Sequence, residues 1–207
     1  MDLQAREQAF MSALVTEHFV QQSIASATIA ESSSRASLYL LSLSSSLVAL
    51  GFATQSRQVF PYFAAAILPA ILILGIFSFV RVTDTAMANL NSLRAIVRIR
   101  RFYAGLLPEA TKFFGQPDSE GDMATVFTFI GTTRSWINAL FSMASTLAAI
   151  NSLVAGVGVV ILLVAIFGSG SLGWAVAVGV VLVIGQMVAA IAYQLRRFAQ
   201  TVASRTQ

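Results

Sequence analysis

The sequence predicts an all-α polytopic membrane protein with four long transmembrane helices, paired as two antiparallel hairpins and extended by helices into the cytoplasm. Three observations predict it. Four stretches are almost wholly apolar over about 20 residues, the length a helix needs to cross a bilayer. Only 11% of the 207 residues are charged while 57% are hydrophobic, with a mean hydropathy of +0.77; a soluble domain carries about a quarter charged residues. The basic residues, finally, fall almost entirely on one side of those stretches.

The first span is read from Ala36 to Thr54 (36–54) and is the least hydrophobic, carrying Ser37, Ser42, Ser44, Ser45 and Ser46. The second, Phe60 to Val80 (60–80), holds no charge; Pro69 inside it removes one backbone hydrogen bond and predicts a bend. The third runs from Leu147 to Phe167 (147–167) and the fourth from Leu172 to Tyr193 (172–193). Gln55–Val59 and Gly168–Ser171 are too short for anything but turns, so spans one and two form one hairpin and three and four another.

Orientation follows from the positive-inside rule. Arg6 and Arg35 precede span one. Arg81, Arg94, Arg98, Arg100, Arg101, Lys112 and Arg134 lie between spans two and three, and Arg196, Arg197 and Arg205 follow span four. Only Arg57 sits in an opposite turn, which places both termini in the cytoplasm. The net charge of +4 is thus a topology signal, and no nucleic-acid partner is predicted. The opening residues contain Asp2 and Glu7 and no short apolar core, unlike a cleaved secretory signal.

The remaining segments, 1–35, 81–146 and 194–207, are expected to form a cytoplasmic helical bundle within a single membrane domain. Residues 3–35 and 76–104 lack Gly and Pro, so helices one and two continue through them. A helix from Asp2 to Thr54 would be about 80 Å long at about 1.5 Å per residue. Glycines and prolines between Gly105 and Gly121 mark a loop, and Asp122 caps an expected helix running from Met123 into span three. Phe10, Ala13, Val20, Ile24 and Ala27 form one apolar stripe, interrupted by Glu17. Helix two carries two stripes: Ala86, Leu90, Leu93 and Val97, then Ile96, Ile99 and Tyr103. A helix apolar on two sides needs two neighbours, from its own chain or from a second copy.

Within the spans, Ala144, Ala148, Ser152 and Gly156 recur every four residues, and Ala175, Gly179, Gly185 and Ala189 repeat the idea in span four. Small residues let helices approach closely in lipid, inside one subunit or between subunits. Ser42, Ser45 and Ser46, with Asn151 and Gln186, are the polar groups that either bridge helices or line a hydrated path. Arg94, Arg98 and Arg101 share a face with Arg100 beside it; they pair with Glu17 or Glu31, touch anionic headgroups, or hold an anion. Arg81 and Asp84 lie level with Glu31 and Arg35 across the hairpin, which favours ion pairs there.

The chemistry excluded is as informative. There is no cysteine, the lone His18 makes no metal site, and no serine has a base beside it. Without a phosphate-binding glycine loop, no cofactor is expected and the chain is not read as an enzyme. No ionisable residue falls in the centre of a span, which argues against a proton pump, a coupled transporter or a voltage sensor.

Three stretches also carry a resemblance: ESSSRASLYLLSLSSSLVALGF (Glu31 to Phe52), FPYFAAAILPAILILGIFSFVR, and LRAIVRIRRFY (Leu93 to Tyr103). Together they resemble a group of uncharacterised small four-span membrane proteins of actinobacteria, which implies a bacterial inner membrane. More distantly, an acidic–basic pair entering a small-residue-rich span is similar to membrane effectors of nucleotide-signalled phage defence. Neither likeness supplies a function; the small-residue stripes, the uncharged polar groups in the spans and the surplus apolar faces of the cytoplasmic bundle lead to the expectation of an oligomeric inner-membrane channel or pore, favouring anions through its arginines. Its rival is a non-conducting scaffold whose cytoplasmic helices bind a protein partner.

Overall fold

The computed structural model describes residues 2–106, 108–114, 126 and 142–203. Among these every regular element is helical. The helices are α1 (Leu3–Ala53), α2 (Val59–Leu106), α3 (Thr111–Phe114), α4 (Met143–Phe167) and α5 (Leu172–Ala203), with 3-10 turns at Pro108–Ala110 and Ser169–Ser171. Four of them, α1, α2, α4 and α5, are long and apolar enough to cross a membrane, α1 being the least apolar. The chain is accordingly that of a multi-pass membrane protein.

α1 runs unbroken through its serines. Such hydroxyls need no partner beyond their own helix, since a preceding backbone carbonyl accepts from them. α2 continues through Pro69, which is exposed and leaves only the Ala65 carbonyl without its usual donor. α4 differs from expectation. Its first residue is Met143, and the preceding Ser142 is extended (φ −70°, ψ 154°), with its side-chain oxygen accepting from the Ser145 N–H at 3.2 Å. That cap satisfies a donor orphaned at the helix start and breaks any helix arriving from Met123; Asp122 and Met123 themselves lie outside the described residues. At the other end Gly168 adopts φ +85° and donates its N–H to Val164, a conformation natural to glycine.

The chain divides into two compact units. One comprises Met1–Glu31 and Thr85–Asn138. In it α2 buries Leu90, Ile96, Val97, Ile99 and Ala104. Both expected stripes of helix two therefore turn inward, except at Ala86, which is exposed. On α1 the expected stripe is overturned: Phe10, Ala13, Val20, Ile24 and Ala27 are all exposed. The line facing inward is Met11, Leu14, His18, Gln21, Ala25 and Thr28, with Ala25 the most buried. Ala25 is small enough to fit where helices approach closely. Phe10 is partly accommodated by an edge-to-face contact with Phe102, and Tyr103 stacks on Phe114.

The second unit comprises Ser32–Asp84 and Ala139–Gln207. Its core joins Ala36, Tyr39 and Leu43 of α1 to Ile71 and Val82 of α2 and Ala144 and Leu147 of α4. Polarity here is the reverse of a water-soluble bundle. Ser78, Ser145, Asn151 and Ser152 are buried, while Leu41, Phe77, Leu153, Ile166, Val181 and Val188 point outward. Exposed aliphatic surface on that scale is untenable in water but matches hydrocarbon.

Candidate functional site

The most constrained point of the second unit is a crossing of three helices. Asn151 of α4 is 2% exposed, and a buried carboxamide in an apolar setting costs free energy unless it is hydrogen-bonded. The Tyr39 hydroxyl of α1 donates to its Oδ1 at 3.3 Å. The third helix supplies space: a Cβ on Gly75 of α2 would lie 2.0 Å from Asn151 Oδ1 and 2.9 Å from Tyr39 Cε2. Only glycine admits this arrangement. Asn151 is thus an interhelical polar group within one chain.

Beside that crossing lies an open groove of about 270 Å³. Ile76, Phe79 and Val80 of α2 form one wall, and Gln186, Ala189, Ala190 and Tyr193 of α5 the other. The floor is Ala148, Asn151 and Ser152 of α4. The Ser152 hydroxyl donates to its own helix at the Ala148 carbonyl, 2.7 Å away, so it offers the groove little. Asn151 is different: its oxygen is engaged by Tyr39, and its NH2 has no protein partner among the described residues. Gln186, half-buried, supplies a second carboxamide. At one end the Phe79 and Tyr193 rings meet at 5.9 Å. One turn beyond each wall, Arg197 of α5 donates to Asp84 of α2.

α4 and α5 pack through their small residues. A Cβ on Gly156 would lie 3.1 Å from the Gly179 carbonyl oxygen, and one on Gly179 would lie 3.0 Å from that of Gly156. Backbones this close gain dispersion contact that larger side chains would forbid. Ala144, Ala148 and Ser152 are buried on the same side of α4. Gly185 departs from this pattern, since nothing lies within 4 Å of a Cβ there. Six residues after Gly179 it has turned about 240° around the helix, away from α4. Among the described residues a side chain there would pack against nothing.

Sequence reasoning missed several participants. Tyr39 and Gly75 define the crossing. Ser142, Ser145 and Gln194 tie the start of α4 to α5: the Ser145 hydroxyl and the Gln194 amide lie within 3.3 Å, and Ser142 Oγ is 3.0 Å from Ser145 Oγ. Their only signal was residue type, polar groups at the edge of apolar runs.

The ionic expectations are revised in two places. Asp84 pairs with Arg197 of α5, because the Phe79–Tyr193 contact sets the two helices in register one turn earlier. Glu17 accepts from Gln21 Nε2 at 2.7 Å, one turn along its own helix. Arg94, Arg100 and Arg101 are engaged by partners, and Arg98 is exposed. Of the span-one serines, Ser42 and Ser46 are half-buried beside the core line, and Ser45 is exposed.

Comparison with protein-family models, curated proteins and solved structures returns no match to this chain.

Proposed function

We propose that the chain is the subunit of a homo-oligomeric bacterial inner-membrane pore, with two helical hairpins, cytoplasmic termini and cytoplasmic helical extensions. The observation that carries this reading is α1. Val15 (46%), Phe19 (65%) and Ile29 (61%) remain exposed on the stretch outside the span, where water would meet them in a lone chain. Farther along the same helix Ser37, Ser44 and Ser45 turn away from the chain's own core. Copies that meet along α1 would cover the first set and bring the second together. A ring of hydroxyls, with no carboxylate among them, is a neutral lining that conducts by hydration, and arginines near its inner mouth favour anions. Asn151 takes no part in that lining, being committed to Tyr39.

Purified chain in liposomes would dissipate an imposed chloride gradient. Silence toward chloride and common cations alike would remove the pore. A single-chain mass in detergent would remove the oligomer as well. The same exposed face of α1 favours one other reading, a non-conducting scaffold whose cytoplasmic helices bind a protein partner. A stable complex with no flux would select it.

A further inference from the structure

We propose that the groove between α2, α4 and α5 is a binding site for one ester-linked phospholipid of the inner leaflet, its acyl chain in the groove and its ester carbonyl on the Asn151 amide. The inference rests on the membrane assignment and the proposed orientation, and is independent of conduction.

The lining selects the apolar part. Ile76, Phe79, Ala148 and Ala189 offer hydrocarbon, and about 270 Å³ lies near the lower end of small-molecule pockets, room for a slender chain and not for a bulky ring system. The polar group selects the rest. Asn151 is 2% exposed, its oxygen is turned into the crossing against Tyr39 and Gly75, and the NH2 donor is what remains for the groove. In a bilayer no water stands by to accept that hydrogen bond, so an occupant with a carbonyl is favoured over a plain hydrocarbon.

Depth agrees with this assignment. Asn151 lies four residues, about 6 Å, inside the start of span three, and Arg197 lies four residues beyond the end of span four. The Arg197 side chain is held by Asp84 through Nη2 yet is 42% exposed, so N–H groups at its tip remain for a phosphate although Nε is buried. An amide at the hydrocarbon boundary and an arginine in the headgroup layer match the order of ester and phosphate along a lipid.

The test is native mass spectrometry of the purified chain in detergent. It would be titrated with dioleoyl phosphatidylglycerol, with the diether analogue of the same headgroup, and with dioleoylglycerol. We expect one diester phospholipid per chain, bound roughly five- to tenfold more tightly than the diether, which lacks the carbonyl. Asn151→Leu would abolish that preference. Dioleoylglycerol, with esters but no phosphate, would bind more weakly than the phospholipid and just as weakly to Arg197→Ala. Ala189→Phe, at an exposed position on the groove wall, would fill the groove and lower diester binding at least tenfold whether or not the Asn151 variant folds. Equal retention of diester and diether by the wild-type chain would overturn the proposal, as would full retention by Ala189→Phe. A change of oligomeric mass in Ala189→Phe with lipid binding intact would assign the groove to a second copy instead.

Discussion

Replacing Gly75 with alanine puts a methyl group into the space that the Asn151 carboxamide occupies. The new Cβ would sit 2.0 Å from Oδ1 and 2.6 Å from Cγ of Asn151, and 2.9 Å from the Tyr39 ring. None of these is a tolerable carbon contact, and the three side chains belong to three helices, so no single rotamer change relieves them. Overpacking of this kind costs about 2 kcal/mol. Displacing Asn151 also breaks its hydrogen bond to Tyr39, for about 1 kcal/mol more. Alanine returns about 1 kcal/mol through helix propensity, which leaves a net loss of about 2 kcal/mol. At about 2–4 °C per kcal/mol for a chain of this size, the midpoint of thermal unfolding should fall by roughly 4–8 °C. Differential scanning of the protein in mild detergent measures it. The companion variant is Asn151→Ala, which empties the contested space; in that background Gly75→Ala should cost far less, a coupling a double-mutant cycle reads directly. An unchanged or raised midpoint for Gly75→Ala alone would refute the three-helix crossing.

Two other substitutions test the seam and the turn. Gly179→Ala should destabilise by about 1–3 kcal/mol, because its Cβ meets the Gly156 carbonyl oxygen at 3.0 Å and Val160 Cγ2 at 2.7 Å; Gly185→Ala, facing open space, should be neutral or slightly stabilising. If the two behave alike under the same thermal scan, the α4–α5 contact is misplaced. Gly168→Ala should cost about 1–3 kcal/mol through backbone strain alone, since φ is +85° and ψ 172° while the space around it is empty. A Gly168→Asn variant as unstable as the alanine would agree with this, since ψ lies far from the left-handed helical region that asparagine tolerates.

The spans were legible because charge and apolar length are one-dimensional signals. Phe60 to Val80 contains no charge, and any structure must give it one apolar environment. Which face of each helix turns inward was far less legible, and the reason is physical. In lipid, the inside of a bundle is no more apolar than the outside, so hydrophobic periodicity does not point to the core. Outside the spans the difficulty is another one: Phe10, Val20 and Ile24 looked like a buried stripe and are exposed, as are Val15 and Phe19, while Gln21 and Thr28 lie on the inward line, because apolar residues fall all round this part of α1 and single out no face. The small-residue pattern was a better guide: Gly156 and Gly179 meet, although Gly185, of the same type, does not. Asn151 and Gln186 stood out as amides in apolar runs, and both reach the groove. Tyr39 and Gly75 did not stand out, because a tyrosine and a glycine are ordinary in a membrane helix until a third residue is placed between them. The start of α4 was hidden for a different reason. Ser142 is one serine among many, and only an extended backbone makes it a cap.

The close seam at Gly156 and Gly179 bears on how this protein would respond to cold. Water-soluble cores weaken on cooling because the expulsion of water that drives them loses strength, which their large heat capacity of unfolding records. Two helix backbones touching inside hydrocarbon expel no water. Their attraction comes from dispersion and from weak Cα–H contacts to carbonyl oxygens, and neither fades as temperature falls. Separating α4 from α5 should therefore show little heat-capacity change, leaving the pair as firmly joined near freezing as at growth temperature.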